Sequence, residues 1–248
     1  SLFKTNWRRN SSFIKSELKK WRRDSMMGFM AIYPILFGFL GRYFVPWLAD
    51  RNGFSVNLYA DLIISILTLI VPISFGALVA FSILEDRDDN ILASVQVTPL
   101  SINQFLSFRF IMVFVLTYIS TVFVIWFSNI GEIPIKNILS IAFLASFEAP
   151  MYGLLINSLS NNKIEGFAVM KGLGTLVIFP IIALFFVDKK ELFFSLAPGF
   201  WYVKAISSII RGEGSLYFTY NQYYFIGLVY LLFLNIISYK LFDKKVKV

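Results

Sequence analysis

The sequence predicts an all-α polytopic membrane protein with six transmembrane helices. Composition is the first reason, because 57% of the residues are hydrophobic and only 15% are charged. An average soluble domain has about a quarter of its residues charged. Length is the second reason, because 248 residues allow roughly six crossings at about 20 residues per helix. About half the chain then remains for connections, so no separate globular domain is expected.

Residues 1–25 are predicted to form the first domain, a cytoplasmic amphipathic interfacial helix. Aromatic and aliphatic residues recur there near helical spacing, and Lys and Arg occupy the other faces. Such a helix places its apolar stripe at the acyl boundary and its cations among anionic headgroups. A solvated basic tail is the alternative. The residues expected at the membrane interface are Trp7, Lys19, Lys20, Trp21, Arg22 and Arg23.

Residues 26–248 are predicted to form the second domain, which contains the six spans. Six crossings place both termini on one side of the membrane, and most of the 23 Lys and Arg residues lie on that side. This distribution predicts cytoplasmic termini in a bacterial cytoplasmic membrane. The net charge of +8 is then a membrane-facing feature, and nucleic acid is not an expected partner. The expected spans are about 26–48, 59–84, 106–128, 137–159, 166–187 and 223–242.

The chain has no Cys and no His, which excludes several kinds of site. Disulfides, a Ser-His-Asp triad, a Cys nucleophile and metal ligation by these residues are all impossible. No stretch matches the phosphate-binding loop GxxxxGK[ST], so this chain is not expected to bind ATP by that route. We therefore predict no catalytic residue, no metal site and no cofactor in this chain.

An acidic run follows span two and precedes a short apolar segment. A helix of about two turns is predicted to begin at Asp88 or Asp89, because their carboxylates suit a helix N-terminus. The helix is expected to end before Pro99. It would lie across the cytoplasmic mouth of the bundle and dock into a cleft on a soluble partner. The residues expected at this contact are Glu85, Asp86, Arg87, Asp88, Asp89 and Pro99.

Two other interpretations of the acidic run remain open. One is a solvated turn, which is the common case for loops. The other is a site for magnesium and a lipid diphosphate, as in intramembrane prenyltransferases. Such enzymes need a second acidic cluster facing the first, whereas Glu165 and Asp243 stand alone in this sequence.

Glu148 lies near the middle of predicted span four. An ionised carboxylate at that depth costs about 2.5 kcal/mol or more, so it should face the bundle interior or be protonated. Pro150 predicts a kink beside it, and Lys171 of span five is placed to snorkel to the inner surface or to reach toward Glu148. We predict that these three residues line or gate a cargo route. A purely structural hydrogen bond of Glu148 is the alternative.

The segment 188–222 is too short and too mixed in polarity to cross the membrane. It predicts one or two outer amphipathic or re-entrant helices before span six, broken at Pro198 and Gly199. Trp201 and Tyr202 suit a membrane interface there. They equally suit the closing of an outer mouth, and we include them among the candidate gating residues.

In this order of elements the chain resembles the permease subunits of ABC-2 type exporters, over nearly its whole length. The shared elements are an amphipathic elbow helix, six spans, an acidic segment with Thr98-Pro99-Leu100-Ser101 before span three, and a re-entrant outer region. Three short motifs resemble a subgroup of fluoroquinolone or antimicrobial export permeases. They are Glu148-Ala149-Pro150, Asn161-Asn162-Lys163-Ile164-Glu165-Gly166 with Lys171, and Pro198-Gly199-Phe200-Trp201.

The resemblance implies a pair of permease chains that works with cytoplasmic ABC ATPase subunits. ATP and magnesium would bind those subunits, and the segment 86–98 would be the cytoplasmic coupling helix. The cargo would be amphipathic or hydrophobic: a drug, an antimicrobial peptide or a lipid. Two alternatives remain, a proton-coupled secondary carrier that uses Glu148 and a magnesium-dependent lipid-modifying membrane enzyme.

Overall fold

The computed structural model of the chain describes residues 11–20, 25–96 and 102–246, which are mostly helical and contain no β-strand. The predicted all-α class is therefore confirmed. Short 3₁₀ segments join α9 to α10 and precede α11. The α-helices are α1 (11–20), α2 (Ser25–Phe39), α3 (Val45–Asn52), α4 (Ala60–Asp88), α5 (Ile91–Gln96), α6 (Ile102–Ser128), α7 (Ile135–Ser146), α8 (Glu148–Leu159), α9 (Lys163–Gly174), α10 (Ile178–Ala183), α11 (Phe200–Arg211) and α12 (Tyr220–Val246).

Six helical stretches within the described ranges are long and apolar enough to cross a membrane. This number confirms the prediction of a polytopic membrane protein. Span one continues from α2 into α3 through a π-helical turn, and span four consists of α7 and α8. The six stretches are Ile32–Asn52, Ala60–Asp88, Ile102–Ser128, Ile135–Leu159, Lys163–Ala183 and Tyr220–Val246.

Spans two and four form the centre of the bundle. In an apolar 18-residue stretch of each, 67% of the residues are buried, whereas in the other four spans the corresponding share is between 17% and 28%. Glycine allows the two central helices to approach closely. A Cβ atom on Gly76 would lie 2.7 Å from the Tyr152 Cβ, and one on Gly153 would lie 2.5 Å from the Val79 Cγ1. Spans one, three, five and six surround this central pair.

The chain between spans five and six is inserted into the bundle. A short 3₁₀ helix, Lys189–Phe194, is followed by α11, which begins directly after Gly199 as the predicted break requires. Helix α11 packs against α4, α7, α10 and α12. Residues 200–208 are all buried. This insertion brings side chains of α11 to the middle of span four.

Candidate functional site

The first candidate site lies at the end of the bundle that carries α1, α5 and the last turns of α12, which we call the inner end. Arg109 of α6 is fully buried there and pairs with Asp86 of α4. The Arg109 Nε lies 3.1 Å from the Glu17 Oε2 of α1, and the Lys20 Nζ lies 3.1 Å from the Asp86 Oδ1. One ion network therefore joins α1, α4 and α6.

Aromatic packing reinforces this junction. The ring of Phe13 lies 5.4 Å from that of Phe105 and 5.5 Å from that of Phe108. Helix α1 thus turns Phe13 and Glu17 toward the bundle and leaves Ile14 and Leu18 exposed, a pattern suited to a helix at a membrane surface. Lys19 and Lys20 are exposed as well. Of the expected interfacial residues, Trp7, Trp21, Arg22 and Arg23 lie outside the described residues.

The acidic run does not begin the short helix, contrary to the sequence prediction. Helix α4 continues to Asp88, and the chain reverses at Asn90, which has a positive φ of 56°. Helix α5 then begins at Ile91. The prediction relied on the preference of carboxylates for a helix N-terminus. Tertiary ion pairs outweigh that preference here, because cations from other elements reach the carboxylates at the C-terminal turn of α4.

Three further contacts join this turn to the end of span four and the start of span five. The Arg87 Nη1 donates to the Asn157 carbonyl oxygen at 2.8 Å. The Lys163 backbone N–H donates to the Asp88 Oδ2 at 3.2 Å, and the Lys163 Nζ lies 3.5 Å from the Glu85 Oε2. The end of α4 therefore contacts four neighbouring helices.

The exposed residues of this segment lie between Asp88 and Ser94. Asp86 is fully buried and is an internal ion-pair partner, which corrects its expected role as a docking carboxylate. Asp89 is exposed, as are Ala93 and Ser94 of α5, while Leu92 packs into the core. Pro99 lies outside the described residues. A soluble partner that approaches the inner end thus meets the surface from Asp89 to Ser94.

The second candidate site surrounds Glu148 at the junction of α7 and α8. Its side chain is buried, and the Tyr202 hydroxyl donates to the Glu148 Oε2 at 2.5 Å. Tyr152 is a second hydroxyl neighbour of this carboxylate. Burial raises the pKa of the Tyr202 hydroxyl well above its ordinary value, with a further contribution from Glu148, so Tyr202 remains a donor. The Asn235 Nδ2 donates to the Phe147 carbonyl oxygen at 2.9 Å, directly at the helix break.

The other predicted gating residues do not all join Glu148. Lys171 is exposed on α9 and forms no ion pair with Glu148, so of its two predicted alternatives the approach to Glu148 is wrong and snorkelling to the inner surface remains a prediction. Trp201 and Tyr202 are buried, which excludes a position at the membrane interface. Their role in closing an outer mouth stays a prediction. The Trp201 indole N–H has no hydrogen-bond partner within the described ranges.

A third polar cluster at the opposite, outer end was not predicted. The Lys204 Nζ lies 2.6 Å from the Glu191 Oε2, and both side chains are fully buried. The Arg211 Nε donates to the Asp61 Oδ2 at 2.7 Å, and Ser207 donates to the same oxygen at 2.8 Å. Burial lowers the pKa of Lys204, and Glu191 partly opposes this shift. The recurrence of Lys204, Ser207 and Arg211 near helical spacing is the sequence signal that could have revealed this face.

A family described as "Fluoroquinolones export permease protein Rv2686c-like" matches residues 17–239 of the chain. The chain belongs to this family. Two relatives from Mycobacterium tuberculosis are named "Fluoroquinolones export permease protein", MT2760 in strain CDC 1551 / Oshkosh and Rv2686c in strain H37Rv. Each is 29% identical over 231 residues, which cover 90% of this chain and 92% of the relative. No solved structure matches the chain significantly.

Membership of this permease family confirms the predicted subgroup and the expectation of a transport protein. The matched range contains all three clusters, from Glu17 of the inner network to Tyr223 beside Glu191 at the outer end. Within the described residues of the permease, no group of three carboxylates is placed to hold a metal ion. Because cations or backbone N–H groups already engage Glu85, Asp86 and Asp88, the geometry gives no support to the magnesium-dependent enzyme.

The permease also has an apolar groove on its lateral surface. The groove runs between α6 and α12 and has a volume of about 670 Å³ in its central part. Pro150 lies in its floor, beside the break at Phe147, so this predicted gating residue faces the lateral surface instead of Glu148. The remaining residues of the central part are Phe110, Ile111, Phe114, Leu154, Leu232, Asn235, Ile236, Tyr239 and Lys240.

Proposed function

We propose that this chain is the membrane-spanning permease subunit of an ATP-driven ABC exporter, with ATP hydrolysis in a separate cytoplasmic subunit. The inner end then faces the cytoplasm of a bacterium, and both termini lie on that side. The observation that carries the proposal is the set of ion pairs and hydrogen bonds that join the end of α4 to α1, α6, α8 and α9. The exposed segment from Asp89 to Ser94 directly follows this end of α4.

This arrangement suits the transmission of a mechanical displacement. Only two residues, Asp89 and Asn90, join α5 to α4, so a displacement of α5 acts directly on α4. Asp86 passes the displacement to Arg109 and hence to α6 and α1. Arg87 passes it to Asn157 and hence to span four. A cytoplasmic ATPase that binds α5 and changes conformation would thereby move spans two and four.

The proposed cargo is a hydrophobic or amphipathic drug, and the names of the two mycobacterial relatives favour the fluoroquinolone class. The proposed transporter contains two permease chains. Span five is the least buried span and exposes Ile164, Phe167 and Ile178, an apolar surface suited to a second copy or a related permease. ATP and magnesium belong to the partner subunit in this proposal, and the lipid bilayer is the surrounding medium.

A substitution on α5 tests the proposed coupling. Ser94→Arg changes an exposed surface of α5, whereas Ser215→Arg makes the same exchange at an exposed outer position. We expect Ser94→Arg to abolish both copurification of an ABC ATPase and ATP-dependent fluoroquinolone uptake into inverted vesicles. Ser215→Arg should preserve both. Nucleotide-independent transport by the purified chain alone would refute the proposal.

A proton-coupled carrier is the second candidate function, and the buried Glu148 is the observation that favours it. Glu148 lies at mid-span with hydroxyl donors around it and without a cation as partner among the described residues. Such a carboxylate can take up and release a proton as its surroundings change. This candidate predicts drug export that stops when the proton gradient is dissipated and continues when ATP is removed. The ATP-driven exporter predicts the opposite pair of results.

A further inference from the structure

The lateral groove extends further toward the inner end than its central part. A neighbouring cavity of about 500 Å³ shares Phe110, Ile111, Pro150, Leu154 and Tyr239 with the central part, so the two form one continuous groove. The additional residues of this inner part are Asn103, Leu106, Ser107 and Phe242. One helical face of α6 and one of α12 form its walls, because the lining positions recur at intervals of three and four residues.

The length of the groove matches one leaflet of a bilayer. Along α6 it extends from Asn103 to Phe114, which is about 16 Å at 1.5 Å per residue. Half of a hydrocarbon core of ~30 Å is about 15 Å. The deep end of the groove lies at Phe147, at the middle of span four, and the other end reaches the inner end of the bundle. An acyl chain of one leaflet would therefore fit along its full length.

The chemistry of the groove changes along this length. Its deep part is lined by aromatic and aliphatic side chains together with Asn235, whose amide is bonded to the Phe147 and Leu231 carbonyl oxygens. Asn103 and Ser107 lie near the inner end. Lys240 lines the same groove on α12, is exposed, and forms no ion pair with any carboxylate in the described part of the chain. Lys244 follows one turn later. An apolar slot with an unpaired cation on its α12 wall, within one turn of Phe242 in the inner part, suits an amphiphile with a single negative headgroup.

We propose that this groove is a binding site for an anionic phospholipid, with one acyl chain between α6 and α12 and its phosphate at Lys240. The site belongs to the leaflet at the inner end. A bound chain would pack on Pro150 and Phe147, which form the floor at the break in span four. Lipid occupancy would thereby stabilise the observed geometry of the span that carries Glu148.

Charge argues against a second copy of the chain as the occupant. A twofold axis along the membrane normal would place the same groove of both copies at the same depth. Lys240 of one copy would then meet Lys240 and Lys244 of the other at the inner end. In this stretch Lys240, Lys244 and Lys245 outnumber Asp243, so its net charge is positive. Two copies therefore repel each other there, whereas a phosphate group is attracted. The groove is therefore better matched to a lipid than to its own copy.

The test uses the purified full-length chain without any ATPase, so it is independent of the proposed transport function. The protein is equilibrated in mixed micelles with phosphatidylglycerol and phosphatidylcholine, and retained lipid is counted by native mass spectrometry. Ile111→Trp fills the groove, and Ile119→Trp makes the same change at an exposed residue of α6 outside it. Lys240→Gln removes the cation, and Lys19→Gln removes an exposed cation of α1.

We expect Ile111→Trp to lose the retained lipid and Ile119→Trp to keep it. Lys240→Gln should reduce the preference for phosphatidylglycerol by about fivefold, because one cation near an anionic headgroup contributes about 1 kcal/mol. Lys19→Gln should leave this preference unchanged. Equal lipid retention in both tryptophan variants would overturn the proposal. So would dissociation of a dimer by Ile111→Trp with lipid retention unaltered, because that result assigns the groove to a second copy.

Discussion

Replacing Arg109 by Gln is the sharpest test of the inner-end network. Arg109 is fully buried and pairs with Asp86, which is also fully buried, and with Glu17, which is 6% exposed. Its loss leaves Glu17 without its cation and leaves Asp86 with Lys20 alone. Removing one partner from a buried ion pair costs about 3–5 kcal/mol of unfolding free energy. We expect a destabilisation of that size.

The matched control is Lys163→Gln, at an exposed ion pair near the same end. The Lys163 and Glu85 side chains are 43% and 46% exposed, so their pair contributes at most about 1 kcal/mol. The two variants should therefore differ by at least about 2 kcal/mol. For a chain of this size that difference corresponds to about 4–8 °C in the unfolding temperature. Thermal unfolding of both purified variants in the same detergent measures it.

A neutral triple variant shows whether Arg109→Gln lowers stability because it leaves a buried charge unpaired or because it removes packing contacts. Combining Arg109→Gln with Asp86→Asn and Glu17→Gln removes every charge of the buried core of the network. Most of the lost stability should return, because neutral amides can bond to one another without a large desolvation cost. Equal unfolding temperatures for Arg109→Gln and Lys163→Gln would show that burial of this network has no energetic consequence and would refute the reasoning.

Three further predictions concern the middle and the outer end of the bundle. Tyr202→Phe removes a donor from the buried Glu148 carboxylate and should lower the unfolding free energy by about 1–3 kcal/mol, as detergent unfolding will show. Burial lowers the pKa of Lys204, so just below pH 10.5 the unfolded chain binds more protons than the folded chain, and the contribution of Lys204 to the unfolding free energy rises with pH. Lys204→Met should abolish this rise when unfolding is measured across that pH range. Pro72→Ala should slow drug efflux without lowering the unfolding temperature, whereas Pro180→Ala, at the end of span five, should leave efflux unchanged.

The six spans could be predicted because each is a long apolar run, and the sequence contains that information locally. The helix ends were harder. The run from Glu85 to Asp89 is polar and was assigned to a connection, yet most of it extends α4. The cations that stabilise it come from α1, α6 and α9, at Lys20, Arg109 and Lys163. Sequence proximity shows none of these partners.

The interior partners of Glu148 illustrate the same limit. Its depth in span four was predicted, and its burial follows from the cost of an exposed charge in lipid. Lys171 of span five is one partner that the sequence allows for Glu148, but its side chain is exposed. The actual donor, Tyr202, comes from the helix between spans five and six, for which the sequence leaves open an outer amphipathic position or a re-entrant one. Whether such a segment lies on a membrane or enters the bundle depends on the space between other helices.

The structure of span two limits how the permease can move. Asp61 near its outer end is bonded to Arg211, and Asp86 near its inner end is bonded to Arg109. These two anchors are 25 residues apart, about 37 Å along the helix. A lengthwise shift of α4 would break one buried pair, which costs several kcal/mol. Pro72 lies between the anchors and lacks the N–H that would close the preceding turn. Bending at this proline is the less costly response, so a displacement of α5 should change the bundle at mid-height, where α4 packs against α8 and Glu148 meets Tyr202.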